Sequence, residues 1–424
     1  MTKDKKILVV SFQSLTANSG GGMARLGYYL SAELHKRHLL KEFIVYSKGK
    51  YTTEFPSSPV SFWSRYFLFV LNRLDKYLHF APYKFRYWQE VIFDWFCAKK
   101  ITRDVDQLFV TQPYLKRTFK KAKKLGIPIF FIPANPEENY IKKLVLEERK
   151  ELEIDHEEDA YTYDKRLRYF NQSIQYVDKV IGTYPTVYET YKHSSFGGEV
   201  VKMIGHLKPD FKPVKIEHKE PAKKTFMVGY LAHTVVLKGL QYLMAAWDMI
   251  NAEHPDLDIR LCIARKIDDS MHEYIVKHHL HTKKMQLLGR LPDVQSFLNG
   301  LHLFVVPSLT EGGPYTALEA AHYAVPVVIT ENCGSAELLS RNNPGCKIVP
   351  IKDAESIKNE ILWAYNHKEA AAEMGMNAKK NLDTYSMEEL IKDIANYLER
   401  QLEQTQRRLP NPTDNKHITR SAIL

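Results

Sequence analysis

The sequence predicts an α/β protein built from two doubly wound domains. Three observations lead there. The chain has 424 residues, enough for two domains at about 150 residues each. Short continuous apolar runs recur along it, and runs of that kind mark strands buried on both faces of a parallel sheet. A charged stretch with three prolines and little hydrophobic periodicity, residues 208–224, separates an earlier series of such runs from a later one. The expected division is a first domain over 1–207, a linker over 208–224, a second domain over 225–386, a helix over 387–409 and a disordered tail over 410–424.

The first series opens with a strand at 7–10, a small-residue loop at 14–22, a helix at 23–36 and a strand at 43–46. Together these make one βαβ unit. Further strands are expected at 108–110, 127–132 and 177–182, with a helix at 185–191. The highly charged stretch 137–168 reads as exposed helix. The second series places strands at 226–231, 259–264, 285–288, 303–306, 327–329 and 347–349. Helical patterns at 240–251, 271–281 and 315–323 lie between them.

Composition narrows the class. Apolar residues make up 44% and charged residues 26% of the chain, a globular balance. No apolar run approaches the roughly eighteen residues of a membrane span, and the N-terminus lacks the core of a signal peptide. Cys97, Cys262, Cys333 and Cys346 share no zinc or CxxC spacing and read as reduced thiols of a cytoplasmic protein. Sixty basic residues against 50 acidic ones leave a net charge of +10, which favours anionic partners. No nucleic-acid-binding signature accompanies the charge, so no nucleic acid partner is expected. Between residues 60 and 103, aromatic residues such as Trp63, Phe67, Tyr83 and Trp88 interleave with Arg65, Arg73, Lys76, Lys84 and Arg86. Two readings fit: a surface that meets an anionic membrane, or a helical insertion whose rings pack on its own domain.

The densest chemical signal follows the strand at 303–306. It runs Ser308-Leu309-Thr310-Glu311-Gly312-Gly313-Pro314-Tyr315-Thr316-Ala317-Leu318-Glu319. Pro314 suits the first position of a helix. The amides of Tyr315, Thr316 and Ala317 would then stand free as an anion site at the strand ends. Gly312 and Gly313 would let a ligand approach the backbone. Thr316 and Glu319 share a helix face, and a carboxylate there suits a vicinal diol such as ribose.

These residues resemble the retaining glycosyltransferases of family 4, which have the GT-B fold of two Rossmann-like domains facing across a cleft. Glu311 and Glu319 match the family's E-x7-E signature, residues 228–239 its first strand and lysine-bearing loop, residues 287–292 its base-side loop, and residues 326–328 the strand that follows. The resemblance implies transfer of a sugar from a nucleoside diphosphate sugar, without a metal or other cofactor. It implies that Glu311 contacts the donor sugar, Glu319 the ribose and Lys238 the diphosphate, with Arg290 on the base side. It also implies that the helix at 387–409 returns to the first domain. Asn18 to Arg25, with Gly21 and Gly22, resembles the family's glycine-rich loop, whereas Arg25 breaks the dinucleotide fingerprint.

Two positions depart from the pattern. Tyr230 stands where an arginine usually contacts phosphate, with His233 and Arg265 as possible substitutes. Asn135 stands where many relatives carry a histidine, and an amide can hydrogen-bond a sugar hydroxyl but cannot act as a base. The acceptor implied is a glycan or a lipid-linked sugar of a cell-surface polysaccharide or glycolipid. The alternative is a catalytically inactive protein that binds a sugar nucleotide or glycan. The tripeptides at 104–106 and 256–258, and the histidines around 272–281, read as solvated residues rather than metal sites.

Overall fold

The computed structural model describes residues 6–15, 23–47, 52–60, 62–78, 81–154, 158–205, 225–265, 267, 269–278, 283–384 and 387–407. The expected linker, the tail from 410, and Gly21 and Gly22 lie outside the described residues. The first half runs β1 (Ile7–Ser14), α1 (Met23–Lys36), β2 (Leu40–Ser47), β3 (Ser57–Pro59), α2 (Phe62–Leu78), α3 (Pro82–Lys100), β4 (Gln107–Val110), α4 (Lys116–Lys124), β5 (Ile129–Phe131), α5 (Glu138–Glu151), α6 (Asp164–Ile174), β6 (Lys179–Gly182), α7 (Pro185–Lys192) and β7 (Glu199–Lys202). The second runs β8 (Phe226–Leu231), a short 3-10 turn (Val236–Lys238), α8 (Leu240–Glu253), β9 (Ile259–Ala264), α9 (Asp269–His278), β10 (Met285–Gly289), α10 (Val294–Asn299), β11 (Leu303–Val306), α11 (Tyr315–His322), β12 (Val327–Thr330), α12 (Ser335–Leu339), β13 (Cys346–Val349), α13 (Ala354–Asn366), α14 (Lys368–Asp383) and α15 (Met387–Arg407).

The strands form two sheets, ordered β3-β2-β1-β4-β5-β6-β7 and β10-β9-β8-β11-β12-β13. Every pairing is parallel. Alternation along each strand feeds two cores. In the first sheet Ile7, Val9, Phe43, Val45 and Phe109 face α1 and α15. Leu8, Val10, Ile44, Leu108 and Val110 face the layer of α3, α4, α6 and α7. In the second sheet Val228, Tyr230, Leu261 and Val305 face α8 and α13, while Leu231, Phe304, Val306 and Ile329 face α11 and α14. This two-sided burial is why the strands read as unbroken apolar runs.

Strand order reverses between β1 and β4 in one sheet and between β8 and β11 in the other. At such a switch point the two loops leave in opposite directions and open a crevice beyond the strand ends. The loops that follow β8 and β11 carry Lys238 and Glu311.

Two helices cross between the halves. α15 lays Leu390, Ile394, Leu398 and Leu402 into the first domain's core. Gln107 donates to the Leu398 carbonyl at 3.2 Å, and Arg37 meets Glu399 at 3.1 Å. α5 corrects the expectation of exposed helix over 137–168. Its Ile141 and Val145 enter the second domain's core, and Glu148 is fully buried. Lys352 at 2.8 Å and the Gln241 amide at 3.0 Å neutralise that carboxylate. The charges of α5 sit on both its faces because one face meets the other domain, and composition alone does not separate an ion pair across a seam from a solvated one.

Ile394 of α15 is wholly buried in the first domain's core. Ile394→Ala is expected to cost about 2–5 kcal/mol, read as a lower urea midpoint for the first domain.

Candidate functional site

The crevice of the second sheet is built from two loops stitched together. The Leu309 amide donates to the Leu237 carbonyl at 2.9 Å. Gly239 ends the 3-10 turn at φ +68°, and a Cβ there would lie 1.8 Å from the Pro307 carbonyl oxygen. Only glycine meets both demands, a left-handed φ and backbone against backbone. The side chain just before it, Lys238, is thereby aimed across the crevice.

Lys238 Nζ lies 2.8 Å from Glu311 Oε2, with side chains 14% and 15% exposed. Ser308 Oγ donates to Glu311 Oε1 at 2.7 Å. Both carboxylate oxygens are therefore held. Burial works against the charge on Lys238, but the Glu311 carboxylate more than offsets it and holds the lysine above its ordinary pKa. Tyr230 is buried in β8, and its hydroxyl lies 3.4 Å from the Lys238 carbonyl. It braces the lysine turn; burial, and after it the nearby Glu311 carboxylate, keep the phenol protonated.

α11 starts at Tyr315, so Pro314 occupies the N-cap and not the first helical position expected for it. Its ψ of 109° is extended, and its carbonyl accepts the Ala317 amide at 3.0 Å. The Ala317 amide is thus engaged within the helix, which removes one of the three donors expected at the anion site.

One helical face on, burial pushes the Glu319 carboxyl up to about 7, against the pull of Arg25 and then Arg265. Arg25 comes from α1 of the first domain, and its guanidinium donates to the Tyr315 hydroxyl at 3.3 Å. Arg265 follows β9 with φ +85°, its amide bonded to the Gly289 carbonyl. Arg290, next along, is exposed, as is His233. The two carboxylates of the E-x7-E pattern thus hold different surroundings. Glu311 is paired to a lysine, and Glu319 is burdened by desolvation between two arginines.

The first domain presses on the same turn. A Cβ on Gly312 would lie 2.2 Å from the Ala134 carbonyl, and one on Gly313 would lie 2.1 Å from the Tyr184 ring. Thr186 Oγ1 donates to the Glu311 carbonyl at 2.7 Å. What stands close to these glycines in the structure is the opposite domain's backbone and ring. Asn135, exposed, adjoins Ala134 and so lies at the same seam. Lys238 and Glu311 are in direct contact; Arg25 reaches both Tyr315 and, electrostatically, Glu319; Thr316 sits in the first turn of α11. Ser308, Thr186, Tyr184 and Arg25 bear on this site without a distinguishing spacing in the sequence. For Arg25 alone there was a signal, the cation that follows a glycine cluster at a helix start.

Of the histidines at 272–281, His279 and His281 lie outside the described residues, and Asp104 is held in an ion pair to Lys41 at 2.8 Å.

The state of Glu319 gives a pH test. Between the ordinary value of 4.5 and about 7 the folded protein keeps a proton that the unfolded chain has lost. Stability therefore falls as pH rises through that window. Glu319→Gln is expected to remove this dependence, so that its melting temperature gains on the wild type between about pH 5 and about pH 8. Parallel curves for the two proteins would mean that Glu319 ionises normally.

Residues 222–367 match the family described as glycosyl transferases group 1. Among sequence relatives, the capsular polysaccharide biosynthesis glycosyltransferase CapM of Staphylococcus aureus is 23% identical over 166 residues, 39% of this chain and 43% of that protein. The chain thus spans under half the length of that relative. Among solved structures, sucrose-phosphate synthase from Thermosynechococcus elongatus superposes with a TM-score of 0.63 at 16% identity, covering 95% of this chain and all of that one. HepE of Anabaena, solved in complex with UDP, gives a TM-score of 0.60 at 14% identity over 93% of this chain and 100% of its own. The two parallel sheets and their switch-point crevice are the GT-B fold, and residues 222–367 are similar to the group 1 glycosyl transferases.

Proposed function

We propose that the protein is a retaining glycosyltransferase that moves a sugar from a nucleoside diphosphate sugar to a glycan or lipid-linked acceptor in cell-surface polysaccharide or glycolipid synthesis. The observation that carries this reading is the Lys238–Glu311 pair at the switch point, 2.8 Å apart and mostly shielded from water. An ammonium has three donors, and Glu311 uses one. The others are directed into the crevice, where they offset charge developing on a leaving diphosphate. A divalent cation does that work in other sugar-transfer sites. Glu311 holds the donor sugar's hydroxyls, Glu319 the ribose and Arg290 the base side, with amides of the Gly312–Thr316 turn beside the phosphates. Asn135 reaches the sugar from the opposite domain; Gly21 and Gly22, expected on the donor side, lie outside the described residues. Because Asn135 is no base, the acceptor's proton passes to a donor phosphate oxygen on the face from which the leaving group departs.

Support comes also from the relatives: CapM is titled for capsular polysaccharide biosynthesis, and HepE was solved with UDP. A thermal-shift panel of UDP, GDP and ADP with their sugars identifies the donor, because a ligand of the native state raises the melting temperature. Glu319→Ala is expected to weaken nucleotide binding roughly tenfold or more, the worth of hydrogen bonds to a charged group. Glu311→Ala is expected to lower turnover mainly. Nucleotide binding with no release of nucleoside diphosphate, with or without acceptors, would instead favour an inactive sugar-nucleotide-binding protein.

The acceptor side is read from α2 and α3. No helix among the described residues is long and apolar enough to cross a membrane. Trp63 is 62% and Phe69 60% exposed, and Tyr66, Phe67, Trp88 and Trp95 also face outward. Lys99 lies 3.9 Å from the Trp95 ring centre, and Arg73 and Lys84 are exposed nearby in sequence. Rings at headgroup depth with cations among them suit a peripheral site on an anionic, cytoplasmic membrane face. Each cation near such a leaflet contributes about 1 kcal/mol, and salt screens it. The protein is expected to sediment with anionic vesicles, to be released by salt and to ignore neutral ones. Equal binding to both, or none, would return α2 and α3 to a structural role.

A further inference from the structure

Away from the donor crevice, α3 and α6 frame an open pocket of about 310 Å³, lined by Tyr87, Lys165, Arg168, Tyr169 and Gln172. Four of the five lie on one face of α6, at positions i, i+3, i+4 and i+7. Nothing derived so far uses them. Their chemistry is one-sided. Neither Lys165 nor Arg168 has a carboxylate within 4.0 Å among the described residues. The acidic groups in the neighbourhood have nearer partners: Asp164 pairs with Lys142 and is only more weakly influenced by Arg168, Glu158 accepts from the Asp164 amide, and Glu90 is held by Arg86 and Arg166. Asp94, buried beneath, accepts from the amides of Arg117 and Thr118 and from the Tyr169 hydroxyl.

The remaining groups are donors. Arg117 donates to the Tyr169 hydroxyl at 3.1 Å, so that ring is fixed from two sides. Lys116 takes the Gln172 carbonyl oxygen at 2.8 Å, which leaves the Gln172 amide nitrogen as a donor. Burial raises the Tyr87 phenol above its ordinary pKa and keeps it protonated. An exposed ammonium, guanidinium and amide beside a phenol on one open pocket offer mainly donors, and phosphate oxygens suit them.

We propose that this pocket binds a phosphate-bearing group, at a second anion site separate from the donor crevice. The phosphate belongs either to a lipid headgroup, given the exposed Trp88 beside Tyr87 on α3, or to a soluble phosphorylated molecule. Full-length protein is tested with labelled inorganic pyrophosphate by equilibrium dialysis, and with vesicles containing phosphatidic acid. The variant is Lys165→Gln with Arg168→Gln. The control is Lys380→Gln with Lys392→Gln, equal in charge change and exposed elsewhere. The control is expected to behave as wild type, whereas the pocket variant loses roughly tenfold in affinity. Loss in the vesicle arm identifies a headgroup, and loss confined to pyrophosphate identifies a soluble ligand. Tyr87→Phe, which changes no charge, is expected to lose a smaller part of the same affinity. Nucleotide-dependent stabilisation should be the same in all three variants, which separates this site from the donor crevice. Equal losses in pocket variant and control, or no loss in either arm, would overturn the proposal.

Discussion

A lysine held 2.8 Å from a glutamate, both about one-seventh exposed, is the interaction on which the crevice depends. Neither charge is stable there alone. Removing one partner leaves the other partly buried and uncompensated, and that penalty exceeds what the pair contributes when intact. The local backbone is arranged to bring the two side chains together. Gly239 lets the lysine turn seat on Pro307, the Leu309 amide ties the two loops, and Ser308 fills the second oxygen of Glu311. These restraints come from β8 and β11, neighbours only because strand order reverses between them. The sheet's topology therefore fixes the charge pair, and the pair in turn fixes where an anionic leaving group can be received.

The same turn is shared by both domains. Thr186 and Ala134 meet the backbone of Glu311 and Gly312, and Tyr184 covers Gly313. A side chain at either glycine would push the domains apart. α5 repeats this on a larger scale, since its apolar residues belong to the second core and its buried Glu148 is answered by Lys352 of the second domain. The seam is thus polar and charge-matched where it is buried. The turn that would hold a donor is positioned partly by the domain that would hold an acceptor.

Much of this was legible beforehand. The strands β8 and β9 and the helix α1 fall on the expected residues, the strands because their apolar runs are short and rich in β-branched and aromatic residues, the helix because its apolar residues recur at helical spacing. The GT-B architecture also follows the expectation, whereas the ion pair between Lys238 and Glu311 joins two residues that the sequence assigned to separate tasks. Other features were hidden for identifiable reasons. β3 and β7 are edge strands, half exposed, and lack the apolar run that marks the centre of a sheet. Pro314 could serve at N1 or as N-cap, and only its carbonyl bond to Ala317 decides between them. The burial of α5 depends on a distant stretch of the chain, with Gln241 meeting Glu148 across 93 residues, which no local pattern encodes.

Glu311 and Glu319 show how a single motif yields two chemistries. Eight residues apart, they sit on one turn and the helix that leaves it, yet a lysine neutralises the first while burial burdens the second. A carboxyl raised to about 7 is poised between forms near neutral pH. It ionises readily when a ligand brings hydroxyl donors to it, because hydrogen bonds to the charged form draw its pKa back down. Arg25, reaching across from the first domain, pulls in the same direction. Ligand hydroxyls and domain approach therefore act on one proton. The charge on Glu319 is thus set by opposed effects, burial that disfavours the carboxylate and the Arg25 and Arg265 cations that favour it.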